Sequence, residues 1–307
     1  MVKASNEVRL KRRTLLTKIL GQTWIWIFLI LMYVPILVLI ASSFTATEVI
    51  GQWTGFSFNL FFGGTIGEDK YYVGLFRDAE IGIALGNTII LAVVSALIAT
   101  VLGTVGAIGA FYSKKRWRGV IENTTQIPVV NAEIVIALSL TVLFVFAGNY
   151  LFAGTNIFSF WTLLIGHIVL ALPFVYLSVK PKLQQMAPAL YEAALDLGCS
   201  SRQALFKATI PEIMPGVASG FLLSITLSLD DFIVTAFTRG AGLLSGDKTI
   251  ETLSTLVQAK IKKGPIPPGM RALTTMIFLF VLLVVIGITV YRNLSEKRGK
   301  RRRGREY

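Results

Sequence analysis

Residues 191–216 read YEAALDLGCSSRQALFKATIPEIMPG and form a polar insert between two apolar segments of membrane length. A first helix is predicted through YEAALDLG, with Pro188 in its first turn and Gly198 as a left-handed residue that ends it. A second helix is predicted over 201–209, capped by a serine at its start and ending before Pro211. Two short helices joined at a glycine indicate a docking surface for a partner rather than a substrate site.

The composition around this insert predicts a membrane protein. Of the 307 residues, 54% are hydrophobic and only 15% are charged, which is too apolar for a soluble domain of this length. A helical span needs about 20 mostly apolar residues. Six windows meet this condition: 24–43, 81–112, 127–146, 158–179, 213–237 and 272–291. The second window is long for one crossing, so either it is tilted or its first residues run along the outer surface.

The distribution of charge predicts the topology. If the basic N-terminus 1–23 lies inside, 22 of the 30 Lys and Arg residues are on the inner side, including those of the tail 292–307. The positive-inside rule therefore favours two cytoplasmic termini, although the loop after the fifth window is a local exception. The tail either contacts anionic lipid headgroups or is a solvated flank. In lipid every backbone polar group needs a partner, so six such spans imply an all-α bundle.

Several other classes of protein are disfavoured by the sequence. The single cysteine, Cys199, excludes an intramolecular disulfide, and no His, Cys or carboxylate residues have metal-ligand spacing. We expect no metal site and no catalytic residues. The net charge of +13 could suggest nucleic acid, but its distribution follows the loops of a membrane protein. The string GTVGAIGA does not have the spacing of a nucleotide fingerprint, and no phosphate-binding loop is present.

Ionisable groups within the windows are candidates for a translocation path, because a charge at membrane depth requires water or a partner. These groups are Glu133, His167, Asp230 and Asp231. If 213–237 is one helix, a small polar face results that favours Asp231 as the carboxylate facing the path and leaves Asp230 to hold a neighbouring element. Alternatively, both aspartates are solvated at a helix end. A pairing of Glu133 with His167 is a further hypothesis. The predicted polar face consists of Gly220, Ser224, Ser228, Asp231 and Thr235.

The insert resembles the EAA loop of ATP-binding-cassette (ABC) importer permeases. The resemblance rests on Glu192, Ala193, Ala194, Gly198 and Pro211 at the spacing of that loop. Ala208 and Ile210 stand where the family has Ile and Leu. The segments PVVNAEIVIALSL, GHIVLALPFVYLSVKPKL and SLDDFIVTAF are similar to those of spermidine/putrescine permeases in this family. This similarity covers the third to fifth windows, roughly half of the chain.

The resemblance implies a six-transmembrane-helix type I ABC importer permease bundle (MetI-like) in a bacterial inner membrane, with a coupling loop at 185–212. It implies a heteromeric complex of this subunit, a distinct second permease, two ATPase copies and an extracytoplasmic binding protein that delivers spermidine or putrescine. The residues that carry over to ATPase docking are those of the EAA pattern. ATP and Mg²⁺ would be used by the ATPase, and this chain would bind no cofactor.

Two other functions remain open at this point. The first is an ABC importer permease for another solute such as ferric ion, because neighbouring branches share much of the pattern. The second is an intramembrane enzyme or a secondary transporter, for which paired catalytic motifs or inverted repeats would be expected. The sequence shows neither. The polyamine hypothesis predicts carboxylates and aromatic faces along the path, for which Asp231, Glu133, Tyr176 and Phe232 are candidates.

Overall fold

The computed structural model describes residues 2–66, 70–152, 154–187, 189–242, 248–262 and 267–303. It is mostly helical, as predicted. In chain order the elements are α1 (Val2–Ser43), α2 (Asn59–Phe62), β1 (Gly64–Ile66), β2 (Lys70–Tyr72), a 3-10 turn (Leu75–Arg77), α3 (Ala79–Tyr112), α4 (Lys115–Val130), α5 (Glu133–Tyr150), α6 (Phe160–Gln185), α7 (Ala189–Asp196), α8 (Ser201–Ala204), a π-helical turn (Leu205–Thr209), α9 (Ile210–Asp230), α10 (Ile233–Thr238), α11 (Leu253–Ile261) and α12 (Pro268–Arg303). Pro188 lies outside the described residues.

Five helical segments in the described residues have the length and apolar composition to cross a membrane. They are Gly21–Ser43 within α1, the helices α3, α5 and α6, and the uninterrupted segment Ser201–Asp230. The sixth predicted window, 272–291, lies inside the helix α12, whose apolar stretch Pro268–Leu283 is shorter. The chain divides into two compact units, one made of 1–78 and 263–307 and the other of 79–262.

The first unit is organised around Arg271 near the start of α12. Its buried guanidinium donates to the carbonyl oxygens of Ser42, Thr47 and Glu48, at the carboxyl end of α1 and just beyond it. A cation at this end of a helix is favoured by the helix dipole. Ser43 Oγ adds bonds to the Arg271 carbonyl and to Thr275. These contacts join α1 to α12, and the strands β1 and β2 form an antiparallel pair in the loop that follows α1.

The second unit is built on three long helices, α3, α6 and α9, which pack against one another. Two glycines allow the close approach. A Cβ atom at Gly103 of α3 would lie 2.8 Å from the Cβ of Val175 on α6, and one at Gly220 of α9 would lie 3.1 Å from the Cα of Val175. Small residues let helix backbones approach in lipid, where dispersion drives association. The resulting core includes Val175, Tyr176, Val179 and Ile213.

The third predicted window, 127–146, does not form one helix. The helix α4 continues to Val130, the chain is extended at Asn131 and Ala132, and α5 begins at Glu133. Glu133 therefore lies in the first turn of α5, at the start of a candidate span instead of in its interior. The run PVVNA at the break carries no charge, so an average of hydropathy over the whole window does not reveal the break. The sequence feature that indicates the break is the polar Asn131, whose side chain competes for backbone hydrogen bonds.

The fifth predicted window, 213–237, is also interrupted. The helix α9 ends at Asp230, Asp231 is extended with ψ of 125°, and α10 begins at Ile233. The prediction that the second loop helix ends before Pro211 is wrong. This helix continues through the π-helical turn into α9, where Pro211 occupies the first turn. A wider turn before a proline relieves the clash of its ring with the preceding carbonyls, so the helix need not end there.

We predict that Gly103→Ala lowers the thermal stability of the detergent-purified full chain, whereas Gly106→Ala in the same helix does not. The added Cβ at Gly103 collides with Val175, at a cost of about 1–3 kcal/mol for overpacking. Among the described residues, no atom lies within 4 Å of a Cβ at Gly106, so the higher helix propensity of Ala is retained there. Equal melting temperatures for the two variants would contradict this packing.

Candidate functional site

A cavity of about 350 Å³ lies where the two interrupted helices meet. The end of α4 and the start of α5 form one wall, and the middle of α6 and the end of α9 form another. Irregular backbone is tolerated at membrane depth only where it is buried in protein or faces a water-filled space. The meeting of both interruptions here marks this cavity as the candidate site. Its lining residues are Pro128, Val129, Asn131, Glu133, Ile136, Leu170, Phe174, Leu227, Asp230, Asp231 and Phe232.

Three carboxylates, those of Glu133, Asp230 and Asp231, line this one cavity. The carboxyl end of α9, which carries the negative end of the helix dipole, adds to the same field. None of the described residues that line the cavity is basic. The arrangement therefore favours a cation, because carboxylates that share one cavity repel one another unless a proton or a cation lies between them.

The two adjacent aspartates have different environments. Asp231 is only 5% exposed, and its carboxylate accepts bonds from the backbone N–H groups of Val234 and Thr235 at 3.1 and 2.8 Å. It thus caps α10 and closes the break in the helix. Asp230 is exposed and lines the cavity. On the prediction of one continuous helix, Asp231 faces the path and Asp230 holds a neighbouring element. In the structure the helix ends at Asp230, so Asp231 is the buried carboxylate that bonds to a neighbouring helix and Asp230 is the exposed one.

A chain of buried hydrogen bonds fixes Asp231 to the neighbouring helices. His167 of α6 contacts Ser228 Oγ of α9 through Nδ1 at 2.7 Å and Thr235 Oγ1 of α10 through Nε2 at 2.9 Å. The Thr235 hydroxyl donates to Asp231 Oδ2 at 2.8 Å. At the other end, Ser95 of α3 lies 3.3 Å from the Ser228 hydroxyl. Four helices are joined by one continuous polar network.

The pattern of donors assigns the tautomer of His167. Because the single proton of the Thr235 hydroxyl goes to Asp231, its oxygen accepts from Nε2–H of the imidazole. The Nδ1 atom then accepts from Ser228. A neutral ring satisfies every partner in this assignment, which rests on hydrogen-bond geometry. The network satisfies polar groups that would otherwise be costly to bury.

The structure brings some of the predicted path residues to the cavity but not all of them. Ser224 bonds to the Gly220 carbonyl of its own helix, and Ser228 and His167 lie in the network behind Asp231. The hypothesised pairing of His167 with Glu133 is wrong, because both ring nitrogens bond elsewhere. Tyr176 lies in the packed core, whereas Phe232 does line the cavity.

Sequence reasoning missed Asn131, Phe174 and Ser95 as members of the site. Phe174 follows Pro173 in α6 and faces the cavity, but one phenylalanine in an apolar helix gives no signal. Ser95 is a buried hydroxyl within the longest apolar helix, which is a weak signal for an interhelical bond.

The predicted coupling loop forms a helical hairpin with an exposed outer surface. The left-handed conformation predicted at Gly198 is confirmed by its φ of +86°. The N–H groups of Gly198 and Cys199 bond to the carbonyls of Leu195 and Ala194, which is the Schellman pattern at the end of α7. Ser200 then caps α8 in a box with Gln203. Glu192, Ala193 and Gly198 are exposed, and Leu197 and Phe206 are 86% and 66% exposed.

Comparison with known proteins agrees with this architecture. Residues 99–300 match the family described as binding-protein-dependent transport system inner membrane component. The chain is 32% identical over 255 residues to the spermidine/putrescine transport system permease protein PotC of Escherichia coli K12, covering 83% of this chain and 87% of that protein. It is 30% identical over 250 residues to the putrescine transport system permease protein PotI of the same organism, covering 80% and 81%.

The fold is similar to a subunit in the crystal structure of a bacterial ABC transporter involved in the import of the acidic polysaccharide alginate. The TM-score is 0.65 with 20% sequence identity, over 94% of this chain and 96% of that subunit. At this identity the likeness shows the fold alone.

We predict that Thr235→Val destabilises the full chain by about 1–3 kcal/mol, because the buried partners of the hydroxyl lose a bond. The matched control is Thr226→Val on α9, whose exposed hydroxyl bonds to Leu222 O in its own helix. This control should change stability by less than about 0.5 kcal/mol. Thermal unfolding in detergent measures both. A loss in the control as large as that in Thr235→Val would contradict the network.

Proposed function

The chain belongs to the family of binding-protein-dependent transport system inner membrane components, and we propose that the solute carried by this permease is a polyamine such as spermidine or putrescine. The observation that carries the proposal is the meeting of three carboxylates at two helix breaks in one cavity. The family makes this chain a transport subunit of the inner membrane. The names of its relatives support a polyamine over ferric ion as the solute.

The chemistry of the cavity suits a flexible polycation. Its carboxylates can replace the water that an ammonium group loses on entering the bilayer. Phe174 and Phe232 offer aromatic faces to the ammonium groups or apolar contact to the methylene chain. The accessible Asp230 and Glu133 would contact the cargo, while Asp231, held by the His167 network, contributes a fixed negative charge. A path must also release its solute, so few and partly solvated contacts are expected here.

The proposed complex contains two ATPase copies, a distinct second permease and an extracytoplasmic binding protein. ATP and Mg²⁺ would be used by the ATPase, so this chain would be a transport subunit with no cofactor and no catalytic role of its own. Both termini would be cytoplasmic, since that orientation puts 22 of the 30 basic residues inside. The hairpin of α7 and α8 would then face the ATPase.

The coupling proposed for this hairpin is mechanical. Two of its apolar side chains are exposed, Leu197 just after α7 and Phe206 in the π-helical turn. Both suit insertion into a groove of a partner. From Ser201 the helical backbone runs without interruption to Asp230 at the cavity. A displacement of the hairpin by the ATPase would therefore be transmitted along one helix to a cavity carboxylate. Pro211 lies where the π-helical turn passes into this helix.

We predict that Glu133→Gln and Asp230→Asn each raise the KM for spermidine uptake several-fold in membranes that hold the full transporter. Each variant removes one charge from the cavity. The matched control is Glu251→Gln, a partly exposed acid that lies outside both the cavity lining and the predicted coupling loop. Radiolabelled uptake with unlabelled putrescine and ferric ion as competitors provides the test. Competition by ferric ion but not by putrescine would overturn the proposal.

We also predict that Gly198→Val abolishes uptake and co-purification of the ATPase. A valine cannot adopt the φ of +86° without strain, so the joint between the two hairpin helices is distorted. Gly154→Val is the control, because Gly154 has a similar φ of +80° in the loop between α5 and α6. Among the described residues, no atom lies within 4 Å of a Cβ at either glycine. Normal ATPase binding in Gly198→Val would contradict docking on this hairpin.

A further inference from the structure

The helix α4 has two faces of different chemistry. Its inner face packs on the bundle, where Ile121 contacts the core of α3, α6 and α9. Glu122 Oε1 accepts bonds from Arg118 Nε at 3.0 Å and from Lys180 Nζ of α6 at 3.1 Å. The ion pairs fix the rotation of α4 on the bundle.

The outer face of α4 is exposed and begins with a basic cluster, Lys114, Lys115 and Arg116. All three are exposed, and within the described part of the chain no ion pair to any of them is formed. Trp117 follows at 64% exposure. An apolar stripe continues on this face at helical spacing. Its exposed members are Trp117, Val120, Ile127 and Val130.

The depth of this face in the bilayer follows from its neighbours. The apolar helix α3 ends at Tyr112, so the basic cluster begins where a membrane span ends. At its other end, Pro128 and Val129 of α4 line the cavity together with Leu170 and Phe174 from the middle of α6. The helix α4 therefore passes from the membrane boundary toward the bilayer interior. This puts the cluster and Trp117 at headgroup level and the rest of the apolar stripe, Val120, Ile127 and Val130, at acyl-chain level.

We propose that Lys114, Lys115, Arg116 and Trp117 form a binding surface for anionic phospholipid headgroups. Basic residues at a membrane surface attract anionic lipids, and each contributes about a fivefold preference. Trp is favoured at the same depth because its ring is amphipathic. The cluster has no acidic residue beside it in sequence, and the nearest acid on the helix, Glu122, is already neutralised on the inner face. The occupant is therefore an acidic lipid, with its phosphate at the cluster and its chains along the stripe.

Fluorescence quenching of Trp117 by brominated lipids tests this surface. The full chain is prepared with phenylalanine at Trp24, Trp26, Trp53 and Trp161, all of which are exposed. It is then placed in vesicles of phosphatidylcholine that contain either brominated phosphatidylglycerol or brominated phosphatidylcholine at equal content. We expect the anionic lipid to quench Trp117 more strongly, and we expect this preference to fall as salt is added.

Two charge variants decide whether the cluster causes the preference. Lys114→Gln/Lys115→Gln/Arg116→Gln should reduce the preference for phosphatidylglycerol at least about fivefold. Lys182→Gln/Arg202→Gln/Lys207→Gln removes the same number of positive charges from the 180–212 segment and should leave it unchanged. If the first variant fails to insert, Lys115→Gln alone, with an expected loss of about fivefold, makes the same test.

Three results would overturn the proposal. Equal quenching by the two brominated lipids would show that the surface does not select charge. An equal loss in both triple variants would show that net charge, not this cluster, attracts the lipid. Absence of quenching by either lipid would show that Trp117 is covered by protein.

Discussion

A backbone N–H or C=O that leaves its helix inside a bilayer must find another partner or meet water, and this requirement organises the second unit. Two helices are interrupted there, at Asn131–Ala132 and at Asp231–Phe232, and both breaks border the same cavity. The second break is satisfied internally, because Asp231 caps α10. The first has no side-chain cap among the described residues, and it borders the cavity through Asn131 and Glu133. Both breaks therefore lie where irregular backbone can be accommodated at membrane depth.

The breaks can be tolerated because the rest of the unit is tightly packed. The helices α3, α6 and α9 meet at glycines whose replacement would force Val175 to move. The polar network then joins this frame to α10 through His167 and Thr235. Such a network is costly when partly satisfied and specifies one geometry when complete. The position of Asp231 is thus set by a network that joins four helices, α3, α6, α9 and α10.

The sequence predicts the helical class, the membrane windows and the coupling hairpin because each depends on local information. Hydropathy over about 20 residues detects α3 and α6, and the glycine at 198 has a conformation that few other residues adopt. The helix breaks are different, because an average over about 20 residues smooths out the few polar residues at each break, Asn131 and Glu133 in 127–146 and Asp230 and Asp231 in 213–237. The predicted difference between Asp230 and Asp231 assumes one continuous helix. It does not hold because α9 ends at Asp230, and helical periodicity applies only while the helix continues. Ser95 and Phe174 join the site through packing between distant segments, which no local pattern records.

The two walls of the cavity belong to differently connected parts of the unit. Asp230 ends a helix that is packed on α3 and α6 and is continuous with the α7–α8 hairpin. Glu133 begins α5, which packs mainly on α10 and bonds to it through Thr141 and the Phe237 carbonyl at 3.0 Å. On the proposed function, a force on the hairpin would shift the first carboxylate relative to the second. A cation held by both carboxylates would then bind with different affinity in the two arrangements, and on this proposal that difference would allow ATP hydrolysis by the partner to drive release.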